Sequence, residues 1–344
     1  RRIAGLNVLP RERIAIRVQP KDDFIAVALG VIRSGAIAVP IDRDEAGQQA
    51  ALMDDCAPSV VLHDSSLSLD PAAYQAVRFV SVAELQTTPE RDPPSLTPES
   101  PCLLLYTSGT LGTRKGVVLT QANLAATVKY MTEFMELNED LVEYVGSPID
   151  HAFGFGRCRA VLVSGGTLVL DEKPFSPMRA LALLTGEKCN SIAMAATGMA
   201  MLVEYFPKQL GQLGNQIRWV ELGSVPMRAE LMDRLVDLLP QGRLVMNYGM
   251  SEAQRSTMID FRAEKAKLGT VGRASPGCNA RVRDEEGRSV THQPGVIEVK
   301  GPHVAESYWG RESLWRKRMS DGWFETDDYG SIDADGYITF IGRR

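Results

Sequence analysis

The stretch Leu103 to Leu119, LLLYTSGTLGTRKGVVL, sets three glycines and a Lys-Gly pair among hydroxyl side chains, between two apolar runs. The hydroxyls of Thr107, Ser108 and Thr110, backbone N–H groups freed by the glycines, and the Lys115 ammonium are the donors that surround a polyphosphate. The spacing is not that of a Walker A loop, which needs Gly directly before Lys and a hydroxyl directly after; here Arg114 precedes Lys115 and Gly116 follows it. No G-x-G-x-x-G occurs in the stretch either, so the dinucleotide fingerprint is excluded. Taken alone, the same composition also describes a plain surface hairpin.

Three further stretches carry chemistry-bearing side chains. NYGMSE, Asn247 to Glu252, places an amide, an aromatic ring, a hydroxyl and a carboxylate within one turn's reach. DGWFETDDYG, Asp321 to Gly330, sets Asp327 beside Asp328, and GSPIDHAFGFGRC, Gly146 to Cys158, holds Asp150, His151, Phe153 and Phe155.

The elements that must position them alternate. From Arg13 to Leu62 short β-branched runs flank helical spacing, an α/β layered pattern. A linker rich in proline and acid, Thr87 to Pro101, leads to the glycine loop; behind it a helix is expected with Thr120 as cap and Leu124, Val128, Met131 and Met135 on one face. Strands and helices alternate again from Tyr144 to Tyr248, with strands expected at GGTLVL, SIAMAA, IRWVELG and RLVMNYG. Beyond Gly269 short strands and turns take over, with Asp335-Gly336 a hairpin signal. The expected fold is α/β, two packed layered α/β subdomains over 1–145 and 146–255, followed by a small β-barrel-like subdomain over 256–344.

Bulk composition narrows the classes. With 344 residues, 44% hydrophobic and 24% charged, the chain reads as globular. A net charge of −5 without long single-sign runs argues against a nucleic-acid partner. Five scattered cysteines with no C-x-x-C pair point to a reducing, cytoplasmic setting. The longest nearly apolar stretch, Ile192 to Val203, falls short of the roughly 20 residues a membrane span needs.

In order along the chain, ALGVIRSGAIAVPID, YTSGTLGTRKGVVLTQANL, NYGMSE, GTVGRASPG, GVIEVKGPHVAESYWG, DGWFETDDYG and IGRR resemble the core motifs of the adenylate-forming superfamily of acyl-CoA synthetases, peptide-synthetase adenylation domains and luciferases. The resemblance implies that ATP and Mg²⁺ activate a small-molecule carboxylic acid as acyl-AMP, which passes to the thiol of CoA or of phosphopantetheine on an acyl carrier protein. It implies Thr107, Ser108, Gly109, Thr110 and Lys115 on the leaving phosphates, and Glu252 on Mg²⁺. Asn247 and Tyr248 would hold adenine, within a motif that includes Gly249 and Ser251, while Gly223, Ser224 and Val225 run along its other side. Asp328 would accept the ribose hydroxyls and Arg343 would add a contact. The chemistry is coherent: a carboxylate, with a pKa of roughly 4, needs no general base at neutral pH. The obstacle is anion meeting anion, which calls for neutralised phosphates and an in-line geometry.

The sequence departs from that pattern at Leu111, Arg114, Gln121, Ser251 and Asp327, the last setting a second negative side chain beside the ribose ligand. His151, expected in a catalytic role, and Phe153, with Gly223 and Gly249, are expected to line the acid pocket, together with Phe155 and the small and Met side chains of Ala193 to Leu202. Asp150 falls out of register for pairing with a substrate ammonium, which favours an acid without an α-amino group. The alternatives are an amino-acid adenylation domain and a catalytically weak nucleotide- or acyl-binding module. The family's mobile C-terminal domain follows the G-R motif, so the chain is expected to be a fragment ending at that hinge and to adenylate poorly.

Overall fold

The computed structural model describes residues 1–19, 21–41, 46–64, 70–107 and 114–343. Two compact units are formed, Arg1–Leu124 with Ala305–Trp315, and Ala125–Val304 with Arg316–Arg344.

In the first unit β1 (Arg13–Arg17), α1 (Lys21–Arg33), β2 (Ile37–Pro40), α2 (Ala46–Cys56), β3 (Val60–His63), β4 (Arg78–Ser81), α3 (Val82–Thr87), β5 (Pro101–Thr107) and β6 (Lys115–Thr120) follow in order. β1 to β4 pair in parallel; β1, β2 and β3 are buried on both faces, which is why they read as largely apolar runs, and β4 is the partly exposed edge. β5 joins β2 in parallel, and β6 folds back on β5 as the antiparallel arm of the glycine-loop hairpin. The strand Ser307–Tyr308, reached much later in the chain, pairs with β6 and completes seven strands. Thr120 caps the following helix α4 (Gln121–Met135) as its sequence predicts: the Asn123 N–H donates to Thr120 Oγ1 at 3.3 Å and the Thr120 N–H to Asn123 Oδ1 at 2.8 Å.

The second unit continues with β7 (Val142–Val145), α5 (Ala152–Val163), β8 (Thr167–Leu170), α6 (Pro177–Gly186), β9 (Ser191–Ala195), α7 (Ala196–Tyr205), α8 (Pro207–Gln212), β10 (Trp219–Gly223), α9 (Ala229–Leu238), β11 (Arg243–Met250), β12 (Ala253–Asp260) and β13 (Arg273–Ala274). These strands form one sheet in the order β13-β12-β11-β10-β9-β7-β8, parallel from β8 to β11 and antiparallel beyond. One face packs a core of α6, α7 and α9 side chains with Ile192, Met194, Leu222, Met246 and Ile259. The other face buries Tyr130, Met131 and Met135 of α4 against Ala160, Trp219, Val245 and Met258. Of the expected α4 face, Leu124, Met131 and Met135 are buried and Val128 is half-buried.

A six-stranded antiparallel sheet follows: β14 (Asn279–Arg283), β15 (Ser289–Val290), β16 (Gly295–Lys300), β18 (Met319–Ser320), β19 (Trp323–Ile332) and β20 (Ile338–Arg343). β17 is the strand Ser307–Tyr308 already placed in the first unit, and α10 (Glu312–Arg318) leads back from it. The Asp335-Gly336 hairpin is present, joining β19 to β20, with Gly336 at φ +85° where an L side chain is strained. Among the described residues no helix is long and apolar enough to cross a membrane.

A buried cluster forms around His303 where α4 packs on the seven-stranded sheet of the second unit. Nε2 meets the Ser256 hydroxyl at 3.0 Å, Nδ1 meets Cys278 Sγ at 3.0 Å, and the ring stands edge-on to Tyr130. Burial lowers the imidazole pKa to about 4. The unfolded chain therefore binds a proton that the folded chain refuses. This contribution to stability is complete above about pH 6.5 and is lost as pH falls towards 4. Urea titrations should find the protein about 2 kcal/mol less stable at pH 5 than at pH 7.5 from this residue. In His303→Asn that part of the slope disappears; an unchanged slope would remove His303 as its source.

Candidate active site

In the first unit Thr107 and Lys115 are cross-strand neighbours at the mouth of the β5–β6 hairpin. The Lys115 ammonium lies 5.4 Å from the centroid of the Tyr308 ring, which its own partner strand supplies. Beneath, Asp55 gathers the Tyr106 hydroxyl at 2.7 Å and a two-pronged Arg311 at 2.6 and 3.3 Å, tying the returning segment to the hairpin base. Ser108, Gly109 and Thr110 lie outside the described residues.

The remaining candidates belong to the second unit, and most sit at the carboxyl ends of parallel strands. The segment after β7 carries His151 and Phe153, β10 ends at Gly223 with Ser224 and Val225 next, and β11 ends in Asn247 to Met250. Strand order reverses between β7 and β9, and the carboxyl side of such a switch is where open α/β sheets hold ligands.

Tyr248, Asp328 and Arg343 meet from β11, β19 and β20. The Tyr248 hydroxyl donates to Asp328 Oδ2 at 2.8 Å, and Arg343 Nε stands 3.5 Å from Oδ1. Burial raises the Asp328 carboxyl above the ordinary aspartate value; Tyr248 and Arg343 pull it back, and Asp327 pushes it up. Burial, with the Asp328 charge second, holds the Tyr248 phenol well above its usual range. Each Asp328 oxygen keeps a further lone pair for an incoming hydroxyl. The second acid is less disruptive than its sequence position implies, because Arg318 Nη2 pairs with Asp327 Oδ1 at 2.5 Å.

Asn247 is tied down by donation from Nδ2 to Glu221 Oε1 at 2.8 Å and to the Leu222 carbonyl at 3.0 Å. Gly249 is necessary here: a Cβ would lie 2.5 Å from the Arg255 nitrogen and 2.7 Å from the Ala253 carbonyl oxygen. Ser251 and Glu252 form the turn between β11 and β12, both half-buried, so Glu252 is a hairpin-turn acid. Ser224 and Val225 are exposed, with Ser224 in the left-handed region at φ +72°.

The pocket candidates divide. The Phe153 ring lies against Gly223, where an added Cβ would come within 2.8 Å of it, and the Arg255 guanidinium covers the ring at 4.8 Å. His151 precedes α5 without capping it, exposed, with Asp150 3.9 Å away. Phe155, Met194 and Met199 are buried side chains.

Sequence reasoning passed over the charges beneath. Arg157 grips Glu143 with Nε at 2.6 and 2.8 Å and Nη2 at 2.5 Å, Ser191 donates to the same carboxylate at 2.6 Å, and Arg157 Nη1 stands 3.5 Å from Glu221. Arg255 donates to Glu221 from Nε, and to the Ala152 and Phe153 carbonyls from Nη1 and Nη2. All four charged residues are buried.

The family model for AMP-binding enzymes matches residues 1–309. A feruloyl-CoA synthase from Amycolatopsis is 30% identical over 350 residues, covering 99% of this chain and 70% of that protein. A hybrid PKS-NRPS synthetase from Penicillium oxalicum is 29% identical over 357 residues, which is 96% of this chain and 9% of the larger protein. Among solved structures, ATP-bound MatB from Rhodopseudomonas palustris superposes with a TM-score of 0.90 at 24% identity, over 99% of this chain and 71% of that one, a likeness of fold.

Proposed function

The chain belongs to the AMP-binding enzyme family, and from that premise we propose that it activates a carboxylic acid lacking an α-amino group, of the aryl or fatty type. The reaction is the ATP-dependent one of adenylate-forming ligases: a carboxylate oxygen attacks the α-phosphate, an acyl-adenylate forms, pyrophosphate leaves, and a thiol then displaces AMP. The feruloyl-CoA synthase relative points to CoA as that thiol, and the hybrid synthetase to a carrier-bound phosphopantetheine as the competing outcome.

One observation carries the reading: Tyr248, Asp328 and Arg343 converge from three strands beside an Asn247 whose amide is rigidly held. Tyr248 supplies a flat face for adenine, Asp328 accepts ribose hydroxyls, and Arg343 balances its charge. Lys115 and Thr107 address the leaving phosphates as a point charge and a hydroxyl. Among the described residues no three His, Cys, Asp or Glu cluster as a metal cage. Mg²⁺ would arrive with ATP, held by the phosphates and one carboxylate, and Glu252 of the β11–β12 turn would be that carboxylate. When bound, the ion neutralises phosphate charge.

Calorimetry with Mg-ATP and with a non-hydrolysable acyl-AMP mimic, followed by pyrophosphate exchange over a panel of acids, tests this. Binding of both is expected; binding of neither sinks the reading. Lys115→Ala should weaken ATP by about 10- to 100-fold, the scale of one charge-assisted contact, and leave the pyrophosphate-free mimic unaffected. Equal losses for both would take Lys115 off the leaving group.

A further inference from the structure

Asparagine's amide has two ends of nearly equal shape and opposite polarity, and which end a ligand meets is decided by what grips the other. At Asn247 both grips are acceptors. Nδ2 donates to Glu221 Oε1 and to the Leu222 carbonyl, and neither atom has a proton to offer in return if the amide turned over. Oδ1 receives no hydrogen bond from the described residues, so the grip on the amide is all on its Nδ2 end.

Glu221 lies in the middle of β10, buried, between two guanidinium groups, with Arg255 Nε at 3.1 Å from Oε1 and Arg157 Nη1 at 3.5 Å from Oε2. Arg157 is itself anchored by Glu143, and Arg255 by two helix-start carbonyls of α5. Gly156 leaves the room this needs, since a Cβ there would stand 2.5 Å from Arg255 Nη1. We infer that Glu221, held by Arg157 and Arg255, is a positioning residue that locks the Asn247 amide with its carbonyl outward and so selects a 6-amino purine nucleotide over a 6-oxo one. The inference rests on the nucleotide-binding reading above and adds what sets base preference. An outward acceptor receives the amino protons of adenine and faces the carbonyl oxygen of hypoxanthine or guanine with like polarity. A turned amide would reverse that choice.

The test compares ATP with ITP, by calorimetry, in the full chain and in three variants. Glu221→Leu removes the lock. Glu221→Leu with Arg255→Met removes one charge of each sign, so that neither is left buried alone. Glu221→Gln keeps the shape and offers an NH₂ that can pair with the turned amide. The unaltered protein should prefer ATP by about tenfold or more, as sites built on a base-edge hydrogen bond do. In the first two variants ATP weakens while ITP holds or tightens, and the preference falls by about tenfold; Glu221→Gln falls part of the way. A purely structural role lowers both nucleotides together. An unchanged ATP-to-ITP ratio in whichever variants melt cooperatively overturns the inference alone. An unaltered protein that binds no ATP overturns the functional reading and this inference with it.

Discussion

Arg157→Ala should destabilise the protein by about 3–5 kcal/mol, the range for removing one partner of a buried ion pair. The residue lies in α5, buried, where burial opposes its charge and Glu143 and Glu221 outweigh that opposition, so that its proton is held more tightly than usual. Removing it strands both carboxylates in the sheet interior and leaves a void where the guanidinium lay. Total stabilities are about 5–15 kcal/mol, so the loss is a large share. Urea denaturation measures it. Arg157→Met combined with Glu143→Leu should recover most of the loss, because an apolar pair of similar volume often replaces a buried ion pair without penalty. If Arg157→Ala shifts the midpoint no more than an exposed arginine would, the network is not what holds β7, β10 and α5 in register.

Asp328→Asn is expected to separate function from stability. The folded carboxyl has a raised pKa, so its contribution to stability is whole below the unfolded aspartate value and is lost as pH rises through the folded one. At neutral pH the ionised group therefore works against the fold. The amide still accepts the Tyr248 proton, and the melting temperature at pH 7.5 should stay level or rise. Affinity for ATP should fall by about 10- to 100-fold, since hydrogen bonds to a charged acceptor contribute about 1.5–3 kcal/mol each. A melting temperature that drops together with the affinity would recast Asp328 as a brace between β11 and β19.

The parts of the site legible in the sequence were those with punctuation around them. Glycines, Asp-Gly turns and hydroxyl clusters marked the hairpin of Lys115, the Asn247–Glu252 turn and the Asp328 strand, since unusual backbone needs unusual residues. The helix behind Thr120 declared its cap and most of its apolar face. What stayed hidden was polar and interior. Glu143 in VEYV and Glu221 in WVELG look like ordinary charges, yet a parallel strand in mid-sheet has no solvent face to give them. A carboxylate in such a strand has to be paired within the core. That was the available signal for Arg157 and Arg255, and it depended on knowing which strands were central. Phe155 was indistinguishable from Phe153 by type and separates from it only by which side of α5 it occupies.

The strand Ser307–Tyr308 has a further consequence for how the protein is made. It is the only neighbour β6 has besides β5 among the described strands, and it emerges about 190 residues after β6. At roughly 5–20 residues per second a ribosome needs about 10–40 s to deliver it. Throughout that interval the nascent first unit presents one unsatisfied row of backbone donors and acceptors along β6, the apolar run KGVVLT, which is the kind of edge that recruits stray chains. The arm that carries Lys115 is thus the last part of its sheet to be sealed, and shielding it until Ser307 and Tyr308 arrive falls to chaperones or to speed.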